Sequence, residues 1–201
     1  MSDSLGLVGV RMHFAPGEEI CAQDEDADYV YRLIDGAVRT TRLLSDGRRQ
    51  VGEFYYPGDL FGLESGDRHR FSAEALGACE VLMVKRVSPS RTGADRDRFE
   101  RAVWAGTTTE LQRAQEHMML LSRTTAIEKV ASFLLHVVGR DRAETATLPM
   151  TRQDMGDYLG LTIETVSRML GRLQADGIVE FAGCRHFRVR QHIALSRLAV
   201  A

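Results

Sequence analysis

The sequence predicts an α+β chain in three parts: an N-terminal antiparallel β-roll, a long helix and a C-terminal winged helix-turn-helix. Three observations predict it. Between Phe14 and about Arg86, short β-rich runs are separated by Pro16-Gly17, Asp35-Gly36, Asp46-Gly47 and Pro57-Gly58, several at roughly ten-residue intervals, the rhythm of an antiparallel barrel or double-sheet roll. From Trp104 to Leu121, apolar positions recur by threes and fours. Residues 151–174, TRQDMGDYLGLTIETVSRMLGRLQ, read as two short helices joined by a tight turn. The boundaries drawn from these patterns are 1–95 for the roll, 96–123 for the long helix and 124–201 for the winged unit.

In the roll, the runs FAPGEEIC, YVYRLIDGAVRTTRLL, RRQVGEFYYPGDLFGLE and FSAEALGACEVLMVKR supply the strands. Asp46-Gly47, with Val51 and Phe54 following, is the clearest hairpin. The pattern alone leaves open whether the roll is structural or holds a ligand. His69 reads as a solvated loop residue; it and Cys79 are conceivable haem ligands, but no spacing supports that role.

Residues 87–98, VSPSRTGADRDR, read as a polar connector. In the helix that follows, Trp104, Thr107, Leu111, Ala114, Met118 and Leu121 form a heptad-like seam. Such a seam either packs on the chain's own roll or meets a partner helix. The clustered Met and Leu of QRAQEHMMLL favour the partner, so these six residues are the candidate interface of a homodimer. Residues 124–138 make a second helix with Ile127, Val130, Phe133, Leu134 and Val137 inward. Gly139 is expected to end it, and RDRAETATLP to be a polar loop. His117 and His136 have no ligand-spaced partner and read as packing or surface residues.

In the helix-turn-helix, Thr151 can cap the first helix, with Asp154 completing a capping box. Gly156 suits a close helix crossing and Gly160 a left-handed turn. Thr162 can cap the second helix, on which Ile163, Val166, Leu170 and Leu173 form one apolar stripe. Glu164, Ser167 and Arg168, at i, i+3 and i+4, point away from it. That polar face is either solvated or a DNA-reading surface: a carboxylate accepts from a cytosine amino group, a guanidinium forks onto guanine or grips a phosphate, and a serine touches thymine. Asp176-Gly177 then turns into a hairpin wing, with Ile178–Phe181 and His186–Arg190 alternating around Ala182-Gly183, and IALSRLAV closes the unit as a short helix. Arg185, Arg188 and Arg190 lie where cations would meet the DNA backbone; Thr151, Arg152, Thr162 and Thr165 are further candidates for backbone contact. Cys184, between Gly183 and Arg185, is either an incidental exposed thiol or a redox brake, since adjacent cations favour the thiolate.

The formal net charge is −2, but residues 151–201 hold seven Arg and five acidic residues, a net of +2, against −4 for residues 1–150. No apolar run is long enough to cross a bilayer and the N-terminus lacks a secretion pattern, so a cytoplasmic protein without membrane partners is expected. Cys21, Cys79 and Cys184 are scattered, with no C-x-x-C or Cys/His cluster, which excludes a disulfide framework and gives no sign of a metal site. A G-x-S-x-G elbow, an H-E-x-x-H pair and a phosphate-binding glycine loop are all missing, so an enzyme is not expected.

The run Glu164-Thr165-Val166-Ser167-Arg168, after the Gly160-Leu161-Thr162 turn, resembles the recognition helix of the CRP/FNR transcription factors, in their FNR and FixK branch. There an E-x-x-S-R pattern reads a TTGAT-type half-site, and Glu164, Ser167 and Arg168 match it position by position. The cyclic-AMP receptor protein branch carries an arginine before the glutamate and a glycine for the serine; here those places hold Ile163 and Ser167. The resemblance covers most of the chain. It implies that the roll is a jelly roll of the cyclic-nucleotide-binding type, with PGDLFGLE at the start of the phosphate cassette. That cassette uses a carboxylate for the ribose hydroxyl and an Arg-Ser pair for the cyclic phosphate. Here His69 and Arg70 stand in the place of the pair, and the Gly-Glu pairing is rearranged as Gly62, Leu63, Glu64, which argues against cyclic nucleotide. The missing N-terminal cysteine set separates the chain from oxygen-sensing FNR proteins and places it nearer to FixK. No cofactor is expected. The resemblance further implies a parallel homodimer, double-stranded DNA and RNA polymerase as partners, activation rather than repression, and target genes of low-oxygen or nitrogen metabolism. A regulator of the same fold gated by cyclic nucleotide or haem is the alternative.

Overall fold

Turn residues in the first half divide the chain into strands short enough to fold back on one another. Eight result: β1 Val10–Phe14, β2 Glu19–Cys21, β3 Tyr29–Asp35, β4 Val38–Leu43, β5 Arg49–Tyr55, β6 Leu60–Phe61, β7 Ser72–Ala75 and β8 Cys79–Lys85. They pair antiparallel in two four-stranded sheets, ordered β1-β8-β3-β6 and β2-β7-β4-β5, the double-sheet roll that the turn rhythm predicts. Asp46-Gly47 joins β4 to β5 with Gly47 at φ 81°, a conformation open to glycine at little cost. The computed structural model describes residues 5–141 and 145–200. Two compact units, Met1–Arg113 and Ala114–Ala201, make up the chain.

Period-two alternation decides what each strand buries. On β8, Cys79 and Val81 join Tyr31, Leu33, Val38, Tyr55 and Phe61 in the core between the sheets. Leu82 and Val84 point the other way, into a cluster with Leu7, Val30 and Leu60 that is covered by Phe99, Ala102 and Val103. Those three residues belong to α1, Gly93–Leu121. This helix begins inside the stretch read as a connector. The polar run is helical because its charges pair at helical spacing: Arg96 with Glu100 at 2.8 Å, and Arg98 with Asp95.

His69 is not solvated: it is 2% exposed. Its backbone N–H donates to Glu25 and its carbonyl accepts from Asp24, and the ring lies 5.9 Å from that of Tyr31. Those two backbone bonds pin the loop against the roll and carry the side chain under it.

In the second unit, α2 spans Ala126–Asp141 and buries Val130, Phe133, Leu134 and Val137, with Ile127 half-buried. Glu128 caps its start, accepting from the Thr124 N–H and the Thr125 hydroxyl. Gly139 lies inside the helix instead of ending it, since one glycine costs only about 1 kcal/mol in a helix with a well-buried face. The expected polar loop contains a strand, β9 Thr145–Thr147; residues 142–144 of that loop lie outside the described residues. Next come α3 Arg152–Leu159, α4 Ile163–Ala175, β10 Val179–Ala182, β11 His186–Val189 and α5 His192–Val200. β9 adds to the predicted hairpin, giving the order β10-β11-β9 with Ala146 buried opposite Phe187. No helix among the described residues is long and apolar enough to cross a membrane.

Candidate nucleic-acid interface

The site begins with a cap. Thr151 stands in extended geometry (φ −79°, ψ 166°) and accepts from the Asp154 N–H, while the Asp154 carboxylate accepts from the Thr151 N–H at 2.9 Å. This reciprocal box satisfies two of the amides that every helix start leaves unpaired. Asp154 is fully buried, so losing either partner would leave a desolvated polar group. α3 ends at Gly160 in the left-handed conformation (φ 65°, ψ 39°), and the Leu161 N–H returns to the Gly156 carbonyl at 2.9 Å. Gly156 permits this closure: a Cβ there would meet the Leu161 carbonyl oxygen at 2.7 Å. The close approach is therefore to the turn itself rather than to the crossing of two helix faces.

Thr162 caps α4 by accepting from the Thr165 N–H at 3.3 Å. Val166, Leu170 and Leu173 are buried, each worth about 1.5–3 kcal/mol of transfer free energy. Ile163, expected in the same stripe, is 38% exposed, because the helix has only just left the turn and its first residue overhangs the core. Glu164 and Arg168 are exposed and Ser167 half-buried, on the face opposite the stripe and within the first two turns. Bonds from its own backbone N–H and from Thr162, aided by Arg168, hold the Glu164 carboxyl below the usual carboxylate range. Glu164 therefore presents an acceptor at neutral pH.

Two contacts were not legible in the sequence. Arg152 of α3 donates to the Ser167 hydroxyl at 3.3 Å, and Arg168 donates to the Thr165 hydroxyl at 3.2 Å, which lies 3.1 Å from the Thr162 hydroxyl. Five of the candidate residues are thereby bonded in two groups, Arg152 with Ser167 across α3 and α4, and Thr162, Thr165 and Arg168 along the start of α4. α4 has 13 residues, about 20 Å of rod, and the major groove admits such a helix.

The wing lies farther along the chain in the same unit. Gly183 (φ 73°), Cys184 and Arg185 form its turn, and the last two are exposed. The Arg185 carbonyl accepts from Leu148 at 2.7 Å, which ties the turn to the segment after β9. Arg188 is half-buried opposite Glu180 and Thr145. Arg190 is held by Glu180 at 2.6 Å, so its guanidinium is engaged within the wing.

A cyclic phosphate at the cassette region of the roll would have to meet Glu64, His69, Arg70 and Arg86. Arg70 donates through Nε to Glu64 at 3.1 Å, and the buried His69 ring has its Nδ1 3.9 Å from the same carboxylate. Arg86 donates to the carbonyls of Ala27, Glu64 and Gly66 at 2.6–2.9 Å. Glu64 is turned onto Arg70 and Arg86 is spent on backbone carbonyls, while a buried imidazole stands in the place of the Arg-Ser pair, so the residues do not fit that ligand.

The comparisons with known proteins agree with this architecture. Residues 11–88 match the family model described as cyclic nucleotide-binding domain, and residues 128–198 the one described as Crp-like helix-turn-helix domain. The chain is 46% identical to the nitrogen fixation regulation protein FixK of Azorhizobium caulinodans, covering 96% of this chain and 81% of that protein. It is 42% identical to the transcriptional activatory protein AadR of Rhodopseudomonas palustris, over 84% of this chain and 73% of that one. The structure of FixK2 from Bradyrhizobium japonicum superposes with a TM-score of 0.89 at 48% identity, covering 97% of this chain and 99% of that one. With both halves matched in this order and FixK-level identity sustained from end to end, the chain belongs to the CRP/FNR family of transcription regulators, as a FixK-like helix-turn-helix DNA-binding protein and not an enzyme.

Proposed function

We propose that the protein acts in the cytoplasm as a homodimeric transcription activator that binds an inverted TTGAT-N4-ATCAA-like repeat, with half-sites about one helical turn apart. The observation that carries this reading is the outward face of α4, where Glu164, Ser167 and Arg168 crown a helix whose opposite face is buried. Glu164 accepts from a base amino group, Arg168 forks onto a guanine edge, and Ser167 contacts a neighbouring base. Thr151, Arg152, Thr162 and Thr165 hold the backbone beside the reading helix, and Arg185 and Arg188 hold it at the wing. Trp104, Thr107, Leu111, Ala114, Met118 and Leu121 form the dimer seam, supported by the absence of any buried residue on α1 and by the two-fold symmetry that a palindrome requires. RNA polymerase is the partner for activation, and genes of low-oxygen or nitrogen metabolism are the targets; FixK is named a nitrogen fixation regulation protein and AadR a transcriptional activatory protein.

The test is a gel shift on TTGAT-N4-ATCAA against a scrambled repeat at stated ionic strength, because phosphate contacts make affinity strongly salt-dependent. Binding preferred by three orders of magnitude or so is expected of a specific regulator; equal affinity for both would end this reading.

A further inference from the structure

The last two turns of α1 face two ways. Outward they present Met118 and Met119, 63% and 61% exposed. Inward, the His117 ring lies flat on that of Tyr158 in α3, with centroids 3.8 Å apart and planes 6° from parallel. Its Nε2 is 2.7 Å from the Tyr158 carbonyl oxygen. A carbonyl can only accept, so Nε2 carries the proton and the imidazole donates. Burial lowers the His117 pKa, while the bond to the carbonyl acts in the other direction.

The same end of α3 is held from α2. The Phe133 ring is 5.7 Å from that of Tyr158, and Lys129 donates through Nζ to the Leu159 carbonyl at 3.3 Å. α3 has no basic residue in its own last turn, and while the turn's own amides close on the Gly156 carbonyl, the Tyr158 and Leu159 carbonyls take side-chain donors from outside the helix. His117 supplies one and Lys129 the other. The Leu121 side chain lies 3.8 Å from where a Cβ at Gly160 would sit, so the final turn of α1 also reaches the α3–α4 turn.

We propose that His117 is a positioning residue for operator recognition: by stacking on Tyr158 and donating to its carbonyl, it locks α3 to the end of the long helix. Through the Gly156–Leu161 closure it locks α4 as well, so that the two reading helices of a dimer keep the separation an inverted repeat demands. The inference rests on the dimeric operator-binding reading above. No DNA contact is assigned to His117. The base-reading side chains belong to α4 and the lock to α1, so losing the lock leaves each head able to read one half-site while the two heads lose their register. The gain from binding two sites at once depends on geometry permitting both.

The experiment measures affinity for three duplexes: the inverted repeat, a single half-site, and repeats with the spacer changed by one or two base pairs. The unaltered protein is expected to prefer the inverted repeat and its four-base-pair spacer. His117→Ala should bind the half-site within about twofold of the original but lose about tenfold on the inverted repeat and tolerate altered spacers, the scale of one lost hydrogen bond and one aromatic stack. His117→Gln, whose amide can donate to the same carbonyl, should recover part of the preference. An Ala variant that keeps both the ratio and the spacer choice overturns the proposal. So does one that loses half-site affinity in step with thermal stability, which marks a purely structural histidine. If the unaltered protein binds repeat and half-site alike, the dimeric reading fails and this inference falls with it.

Discussion

Glu164 and Arg168 stand four residues apart on one exposed face of α4, and their chemistries differ enough for each to be tested separately. Replacing Arg168 by Ala should cost about 1–3 kcal/mol on the preferred sequence and relax selectivity at one base pair. Glu164→Ala should do the same at a different base pair, and competition shifts over all single-base variants of the half-site would show it. A uniform loss across every variant would instead mark the residue as a backbone contact. Ser167 is less simple, since Arg152 already donates to its hydroxyl; Ser167→Ala should also free Arg152 and change the salt dependence. Cysteine chemistry separates along similar physical lines. Burial pushes the Cys21 thiol up to about 12 and the Cys79 thiol up to about 11, whereas Cys184 is exposed at the wing turn beside Arg185. Peroxide should therefore act first on Cys184, and the resulting negative charge near phosphate should weaken operator binding. Measured before and after peroxide, the loss should vanish in Cys184→Ala; equal loss in both proteins would remove the redox role.

At the scale of elements, the α3–α4 pair depends on two devices of known cost. Thr151→Ala removes a capping box and should destabilise the DNA-binding unit by about 0.5–2 kcal/mol in denaturant unfolding. Gly156→Ala should cost more than that cap, because the new Cβ would press on a backbone oxygen at 2.7 Å that cannot move without opening the turn. A melting temperature unchanged in Gly156→Ala would refute the close-approach account. These features were legible because caps, turns and period-3.6 stripes act within a few residues of sequence. The same locality explains what was missed. β9 is a three-residue Thr-Ala-Thr strand whose partner lies about forty positions away, so nothing in its own composition marks it. The start of α1 looked like linker because its stabilising pairs are polar. Burial of His69 and the His117–Tyr158 stack are both products of tertiary contact, with no periodic trace in the chain. Of the candidate site, the exposed polar face of α4 and the caps of both helices could be inferred from the sequence; the Arg152–Ser167 contact that joins α3 to α4, and the Arg168–Thr165 contact within α4, could not.

For the whole molecule, the decisive question is whether α1 works alone. Its 29 residues include none that is buried, while Trp104 is 76% and Leu111 60% exposed. The helix does pack on the roll through Phe99, Ala102 and Val103, yet that contact leaves Trp104, Leu111 and Met118 of the seam exposed. A row of apolar side chains at heptad-like spacing is costly in water and complementary to a copy of itself. Leu111, near the middle of the seam, would be buried twice in a two-fold pair, returning about 1.5–3 kcal/mol for each copy. Leu111→Glu reverses that gain and sets two carboxylates against each other without touching the core of either unit. The variant should sediment as a folded monomer at micromolar concentration, keep its binding to a single half-site, and lose the inverted repeat by a hundredfold or more, about the low end of what linkage of two sites can contribute. Sedimentation velocity and half-site titration read these outcomes independently. A Leu111→Glu protein that remains a dimer would move the interface elsewhere on the surface, and a monomer that still prefers the palindrome would mean that one head, unaided, reads the whole site.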